Sequence, residues 1–270
     1  MRLAHFREAW EQAIQGFLSG DGSTPTDKLR RWRSSYRGPG LGSVEDRAFP
    51  EPYLGRLEPG VAKGVFLALN PGRADLGFQG RDGVFAEEIR GLGSYAAWAG
   101  TWPYLRDPWI ETKGANRHHG SRLHFLRRWF EDEALGPERM VGFELYPWHS
   151  TSVTAPIRPP VEIVREFVLE PVGELGDVTV FAFGAPWFSL LPTLGVEVLA
   201  RLGAGGRRYG SMVASRAAIV GRMPAGPFVV AEKHTGSASP PSRREVDLLR
   251  DAVRGLGVLE SAKRRSGVGT

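Results

Sequence analysis

The spacing of apolar positions divides the chain into helices and short buried strands. Phe6, Trp10, Ala13 and Phe17 recur every three or four residues, which predicts an amphipathic helix from Leu3 to Leu18. Short apolar runs bounded by turn residues are typical of buried strands. The pattern predicts strands at Val65–Leu69, Val141–Tyr146, Val178–Phe183 and Phe228–Ala231, and further helices at Thr26–Tyr36, Gly83–Arg90, Ser94–Trp98, Ser121–Glu133, Pro160–Phe167 and Arg243–Leu256.

Strands that alternate with helices indicate a parallel sheet with helices on both faces. We therefore predict an α/β fold, a three-layer α/β/α sandwich whose mainly parallel central sheet has about four strands. We expect residues 1–60 to form an N-terminal helical extension, residues 61–260 the α/β domain, and residues 261–270 a basic flexible tail.

Each predicted strand stops at a polar or turn-rich segment. The first strand runs into Asn70–Pro71–Gly72, where the proline keeps Asn70 out of helical backbone and the glycine permits close approach of a ligand. In a parallel sheet the strand ends lie at one edge, where open α/β folds bind their ligands. Any one end alone is equally explained as an ordinary turn. The other three ends are Tyr146–Pro147–Trp148–His149, Gly184–Ala185–Pro186 and His234–Thr235–Gly236–Ser237.

Positive charge is unevenly distributed along the chain. The net charge is +5 at pH 7, and residues 112–130 and 198–231 contain no acidic side chain. Phosphate contacts supply most of the non-specific affinity for nucleic acid, so binding to a polyanion explains this distribution. A solvated basic surface is the alternative explanation.

Composition excludes several kinds of chemistry. The chain has no cysteine, which excludes disulfides, thiolate metal sites, iron–sulfur clusters and cysteine nucleophiles, and is compatible with a reducing, cytoplasmic location. His118, His119 and His124 lie in a basic run without a carboxylate, which favours a phosphate-contacting loop over a metal site. The uncharged stretch 178–196 is interrupted by glycine and proline, so we expect a strand and a short helix there and no membrane segment.

The segment Ala68–Leu69–Asn70–Pro71–Gly72 resembles the first motif of the uracil-DNA glycosylase superfamily, in the form found in its mismatch-specific uracil/thymine branch. In that superfamily the last motif often reads His-Pro-Ser or Asn-Pro-Ser after a late strand, and here His234–Thr235–Gly236–Ser237 occupies that place. Val180–Gly184 is similar to the family's strand that ends in glycine. The resemblance covers residues 61–256.

This resemblance implies a monofunctional DNA glycosylase of base-excision repair, which acts as a monomer on single- or double-stranded DNA. Such an enzyme flips a uracil-like, modified or damaged base out of the DNA and hydrolyses its N-glycosidic bond without a metal or cofactor. By the same resemblance Asn70 orients the attacking water, and His234 hydrogen-bonds the leaving base or a neighbouring phosphate. Pro71 and Gly72 contact the base, and Phe78 or Phe85 stacks on it.

The second strand departs from the family pattern. Many relatives carry an asparagine there that reads the base edge, whereas residues 143–149 contain none. In this chain we expect Glu144, Tyr146 or His149 to read the base edge instead. Thr235–Gly236 replaces the usual Pro-Ser, and no bulky apolar wedge follows closely. The predicted DNA contacts are Arg117, His118, His119, Arg122, Lys233, Thr235, Ser237 and Ser239.

Two other functions fit the same residues. One is a nucleic-acid-binding protein that keeps the fold without catalysis, and abasic-site formation would distinguish it from a glycosylase. The other is an N-glycosidase of free nucleosides or nucleotides, which would not need two acid-free basic segments. A steep fall of DNA affinity with salt would count against the nucleosidase.

Overall fold

A seven-stranded mixed sheet forms the centre of the protein, in the order β1-β3-β2-β4-β7-β6-β5. The computed structural model describes residues 3–20, 26–35, 40–154, 157, 159–203, 216–224, 226–233 and 238–257. Strands β3, β2, β4 and β7 are parallel, β1 and β6 run antiparallel to them, and β5 pairs antiparallel with β6. The strands are β1 (Tyr53–Leu54), β2 (Gly64–Ala68), β3 (Met140–Glu144), β4 (Thr179–Phe183), β5 (Glu197–Gly203), β6 (Ala217–Arg222) and β7 (Phe228–Lys233).

The four predicted strands are those of the parallel part, which confirms the α/β class. The expectation of about four strands is wrong, because β1, β5 and β6 extend the sheet at both sides. Strand β1 has only two residues, and β5 is partly exposed along most of its length, so neither has the continuous apolar run of a buried central strand. Strand β6, and β5 after Glu197, also lie within the basic stretch that the sequence favoured as a nucleic-acid surface.

Helices pack on both faces of the sheet. On one face, Phe125 contacts Phe66 and Phe181, with ring centroids 6.0 and 4.9 Å apart. On the other face, Phe6 contacts Phe143 at 5.6 Å. The helices are α1 (Leu3–Ser19), α2 (Asp27–Ser35), α3 (Leu76–Gln79), α4 (Val84–Leu92), α5 (Tyr95–Ala99), α6 (Trp109–Lys113), α7 (Arg117–Phe130), α8 (Val161–Val164), α9 (Glu170–Gly173), α10 (Ala185–Leu190) and α11 (Arg243–Arg254).

Two helices differ from their predicted bounds by more than two residues. Helix α7 begins at Arg117, four residues before the predicted start, because the side chain of Asn116 accepts a hydrogen bond from the backbone of His119 at 3.1 Å. The helix predicted at Pro160–Phe167 continues to Gly173, since a π-helical turn at Arg165–Leu169 joins α8 to α9. Single-turn 3₁₀ helices lie at Pro103–Leu105 and Pro137–Arg139.

A glycine lets α7 lie close to the centre of the sheet. A Cβ atom on Gly64 would collide with Leu126 of α7 and would lie 3.2 Å from the ring of Phe181. The close packing of Leu126 on Gly64 fixes the distance between α7 and β2 at the beginning of the strand. The start of α7 lies at the other end of the strand, where His118 and His119 line a cavity with Ala68.

The first 60 residues contribute to the same core as the sheet. Trp10 and Trp32 pack against Trp148 at 5.7 and 5.8 Å. Residues 41–51 then run antiparallel to residues 147–153, with hydrogen bonds from Glu45 N to His149 O at 2.9 Å and from Glu51 N to Pro147 O at 2.8 Å. The N-terminal region therefore borders the loop that follows β3.

The uncharged stretch 178–196 divides into β4 and α10, as predicted. In the ranges described above, no helix has both the length and the apolar character needed to cross a bilayer.

We expect Phe125→Ala to destabilise the protein strongly, because Phe125 is buried and its ring contacts Phe66, Phe181 and Phe183. Loss of such a side chain typically costs about 3–5 kcal/mol. Urea unfolding followed by circular dichroism measures the change. The exposed Leu92→Ala is the matched control and should stay within about 0.5 kcal/mol of the original chain. Equal unfolding midpoints for the two variants would contradict the assigned core.

Candidate active site

The carboxyl ends of β2, β3, β4 and β7 lie at one edge of the sheet, as the sequence predicted. The carbonyl of Ala68, the last residue of β2, accepts hydrogen bonds from Leu145 N at 3.0 Å and from the indole Nε1 of Trp187 at 2.7 Å. One residue later, Tyr146 N donates to Leu69 O at 2.9 Å. These bonds hold the loops after β2 and β3 side by side beyond the sheet.

The side chain of Asn70 has a fixed orientation. Its Nδ2 donates to the carbonyl oxygen of Ser150 at 3.0 Å and to the hydroxyl of the same residue at 2.9 Å. A carbonyl can only accept, so the amide nitrogen must face Ser150. The amide oxygen, Oδ1, has no hydrogen-bond partner in the described part of the chain, and the residue is half-buried. Asn70 therefore offers a free acceptor at the edge of the sheet.

The turn after Asn70 is open on one side. Gly72 has a φ of +84°, a conformation that favours glycine, and a Cβ atom there would meet nothing within 4 Å. Its carbonyl accepts from Ser150 N at 3.1 Å and lies 3.1 Å from Nδ1 of His149. Pro71 and Gly72 are both half-buried. A ligand can approach the backbone of this turn without meeting a side chain of the glycine.

A small cavity lies beside the end of β3. Glu144, Arg122, Glu51 and Ala68 are among its lining residues, and its volume of about 10 Å³ is enough for one water molecule. Glu144 is 8% exposed and Arg122 is 4% exposed. Arg122 donates through Nη1 to His118 O at 2.8 Å, whereas Arg122 Nε and Glu144 Oε2 lack a hydrogen-bond partner among the described residues.

Burial changes the protonation of this pair. It raises the pKa of Glu144 to about 8, and the nearby Arg122 guanidinium only partly opposes the rise. Burial also lowers the pKa of Arg122 to about 10, which still leaves the guanidinium charged at neutral pH. Near pH 7, Glu144 is therefore mainly a neutral carboxylic acid, which has one donor and one acceptor to offer.

The other two candidates on the second strand lie in the interior. Tyr146 packs on Trp148 at 5.1 Å, and burial raises the pKa of its hydroxyl to about 12. His149 is 1% exposed, and its ring lies between the Gly72 carbonyl and Glu51.

The two aromatic residues that the resemblance nominates for base stacking belong to the core. Phe85 is fully buried and contacts Trp98 and Tyr104, each at 5.2 Å. Phe78 is nearly buried beneath Trp109 at 4.9 Å. Neither ring presents a free face to a base in this arrangement, so stacking by either would require movement of its neighbours.

The predicted DNA contacts are distributed over different environments. Arg117 and His118 are exposed at the start of α7, whereas Arg122 is buried and the half-buried His119 stacks on Tyr104 at 5.0 Å. Burial and the Arg122 charge lower the pKa of His119 to about 3, so this ring is neutral. Lys233 lies over the ring of Phe188 at 4.7 Å, and Ser239 is exposed. His234, Thr235 and Ser237 lie outside the described residues.

Three basic side chains of the two acid-free segments form ion pairs with acidic residues from elsewhere in the chain. Lys113 pairs with Asp75, and Arg128 pairs with Asp247. Arg216 lies 3.2 Å from Glu232 and 2.8 Å from Glu245. The segments therefore present less free positive charge than the sequence suggested.

Sequence reasoning missed three residues near the site. Ser150 orients Asn70, Arg73 directly follows the Asn-Pro-Gly turn, and Glu51 faces His149 at 3.3 Å. Arg73 is exposed and makes no ion pair with any described residue. Its position next to the motif was the available signal, whereas no local pattern marks Ser150 or Glu51.

Within the described ranges no three His, Asp or Glu side chains are placed to hold a metal ion. No protein-family model, curated protein or solved structure matches the chain. The resemblance to glycosylases therefore depends on the motifs quoted above.

We expect Glu144→Gln to remove a pH dependence of stability. The pKa of this carboxyl rises from 4.5 to about 8 on folding, so between these values the folded state holds a proton that the unfolded state has released. Its contribution to stability therefore falls as the pH rises through that range and then levels off. A neutral amide does not titrate, so the free energy of unfolding of the variant should not fall in this way. Relative to the original chain, that free energy should rise by on the order of a few kcal/mol between about pH 5 and pH 8.

Urea unfolding at several pH values measures this difference. Glu197→Gln, at an exposed position of β5, is the control and should give a curve parallel to that of the original chain. Parallel curves for Glu144→Gln as well would show that Glu144 is not protonated on folding.

Proposed function

We propose that this protein is a DNA glycosylase that hydrolyses the N-glycosidic bond of a uracil-like, modified or damaged base. The observation that carries the proposal is the orientation of Asn70, whose amide nitrogen is held by Ser150 while Oδ1 has no hydrogen-bond partner among the described residues. A fixed acceptor at the carboxyl edge of a parallel sheet is well suited to orient one water molecule. The Asn-Pro-Gly motif supplies the analogy to glycosylases.

In the proposed step, Asn70 Oδ1 accepts a hydrogen bond from water and directs the water oxygen at the C1′ carbon of the sugar. The bond from C1′ to the base nitrogen breaks and its electron pair leaves with the base, while the new bond from C1′ to oxygen forms. The water proton passes to solvent or to the departing base. His234, by the resemblance, donates to the base as negative charge develops on it.

Glu144 is the best supported of the three candidates for reading the base. The rings of Tyr146 and His149 are occupied by contacts in the interior, whereas Glu144 Oε2 has no hydrogen-bond partner within the described ranges. A neutral carboxylic acid matches the adjacent carbonyl and N–H of a uracil-type base, which the absent asparagine would otherwise read. The cavity has room for one water molecule but not for a base, so this role requires its walls to separate on binding.

Exposed basic groups close to the turn would hold the phosphates. Arg73 adjoins Gly72 directly, and Arg117 is exposed at the start of α7. The neighbouring His118 lines the same cavity as Ala68 and Glu144, and desolvation and the Arg122 charge lower its pKa well below the ordinary value, so it would contact a phosphate only as a neutral N–H donor. Such contacts position the nucleic acid without reading its sequence.

The ion pairing of the basic segments favours a second candidate, an N-glycosidase of free nucleosides or nucleotides. A small substrate needs one or two cationic groups and not an extended basic surface. The same Asn70 chemistry serves both substrates, so the salt dependence of binding and the size of the substrate distinguish them.

The direct test is base release from single- and double-stranded oligonucleotides that carry uracil, thymine mismatches, hypoxanthine or hypermodified pyrimidines, with abasic sites revealed by alkaline cleavage. We expect Asn70→Ala to bind DNA normally and to lose about 10²-fold or more of turnover, the typical effect of removing one well-placed catalytic group. Gln12→Ala, which removes an exposed side-chain amide of α1, is the control and should keep its activity.

Undiminished turnover in Asn70→Ala would reject its assigned role. Release from free nucleosides but not from any oligonucleotide would instead establish the second candidate.

We expect Arg73→Ala to weaken DNA binding on all sequences alike and to reduce the slope of log affinity against log salt by about 1, because one phosphate contact is lost. Fluorescence anisotropy at several salt concentrations measures both quantities. Arg56→Ala is the control, since Arg56 is equally exposed but follows β1 at the opposite edge of the sheet. Equal slopes for both variants would remove Arg73 from the interface.

A further inference from the structure

Three residues that line the cavity beside the end of β3 each carry a buried polar atom without a hydrogen-bond partner among the described residues. These atoms are Trp102 Nε1, Arg122 Nε and Glu144 Oε2. Trp102 directly precedes the 3₁₀ turn, Arg122 lies on α7, and Glu144 ends β3. Unpaired buried polar atoms are rare and costly, so their convergence from three parts of the fold on one cavity indicates a shared partner.

The backbone of Trp102 has a conformation that a bulky residue seldom adopts. Its φ of +54° and ψ of +61° place it in the left-handed region, and its side chain is only 2% exposed. The indole lies beside the ring of His119, with ring centroids 5.7 Å apart. Strained backbone of this kind persists where the surroundings fix it, and it is concentrated at binding sites.

The charges of the lining exclude an ion. Arg122 repels a cation, and the carboxyl groups of Glu51 and Glu144 are unfavourable for an anion. The volume of about 10 Å³ fits a single water molecule, which needs two to four polar partners when it is buried. Within the described ranges no hydrogen bond or ion pair joins Arg122 to Glu144, although each affects the pKa of the other, and a bridging water spans such a gap.

We propose that this cavity binds one water molecule, which accepts hydrogen bonds from Trp102 Nε1 and Arg122 Nε and donates one to Glu144 Oε2. An indole N–H and a guanidinium N–H can only donate, so they occupy both lone pairs of the water. The hydrogen atoms of the water are then left for the carboxyl group. One molecule thereby satisfies all three unpaired atoms and joins α7, the end of β3 and the turn at Trp102.

The direction of these bonds distinguishes the two oxygens of Glu144. Because the water can only donate to the carboxyl group, Oε2 is the accepting oxygen, and the proton of the neutral acid lies on Oε1. A base that is read by Glu144 would therefore meet a hydrogen-bond donor at Oε1. This consequence rests on the proposed function, whereas the water site itself does not.

NMR of the original chain labelled with ¹⁵N-tryptophan detects the water directly. We expect magnetisation transfer from a long-lived water to the indole proton of Trp102, whose signal is assigned by its loss in Trp102→Phe. The indole of Trp187 is the internal control, because it is equally buried but donates to Ala68 O at 2.7 Å, and it should show no transfer.

A methyl group placed in the cavity supplies the second measurement. A Cβ atom on Gly142, which also lines the cavity, would have only Trp102 Cη2 near it, at 4.0 Å. We expect Gly142→Ala to remove the water signal at Trp102 and to lower the urea midpoint, because the methyl group takes the place of the water and leaves three polar atoms unpaired. In a dry cavity the same methyl group would fill a void and raise the midpoint.

Gly91→Ala is the control for the unfolding measurement. Gly91 is exposed on α4, and a Cβ atom there would meet nothing within 4 Å. Alanine favours the helix over glycine, so this variant should raise the midpoint and keep the water signal at Trp102.

The absence of water transfer to Trp102 in the original chain, or a raised midpoint in Gly142→Ala, would overturn the proposal. An anomalous signal at the cavity in a crystal soaked in bromide would also overturn it, since the occupant would then be an anion. If Gly142→Ala does not fold, the NMR measurement on the original chain decides. A bound water in a protein that releases no base from any substrate would support the site and reject the proposed function.

Discussion

The bond between the Asn70 amide and the backbone of Ser150 is the contact on which the rest of the site depends. It joins the loops that follow two neighbouring parallel strands, and it fixes which end of the amide is free. The Ala68 carbonyl reinforces the same junction from the end of the sheet, with one donor from the second strand and one from Trp187. Hydrogen bonds to the backbone at the ends of the strands thus position the side chain of Asn70. Such backbone groups move less than long side chains do.

The interior beside this junction is unusually polar. Glu144, Arg122, Glu51 and His149 are all nearly excluded from solvent, although such groups are seldom fully buried without a partner. The raised pKa of Glu144 reduces the number of charges buried here. Several atoms still lack hydrogen bonds within the described residues, so this end of the sheet contributes less to the free energy of unfolding than a fully hydrogen-bonded interior would.

The parts of the fold that could be predicted were those with a strong local pattern. Helix α1 and the four parallel strands were found because apolar periodicity marks them, and Asn70 was found because proline and glycine mark its turn. The partner of Asn70 could not be found, since Ser150 lies 80 positions away with no motif. The pairing of Arg128 with an aspartate 119 residues further along could not be predicted for the same reason. Pairing between distant residues depends on topology, which composition does not report.

The short antiparallel strand beside β3 has a consequence for the behaviour of the protein at high concentration. An open strand edge offers unpaired N–H and carbonyl groups to other molecules and promotes aggregation. Here β1, continued by the segment around Glu51, covers the outer edge of β3 and the loop beyond it. At the other side, β5 carries the exposed charges of Glu197 and Arg201 and an irregularity between Val198 and Ala200, features that discourage edge pairing. Both sides of the sheet thus carry features that discourage the addition of further strands.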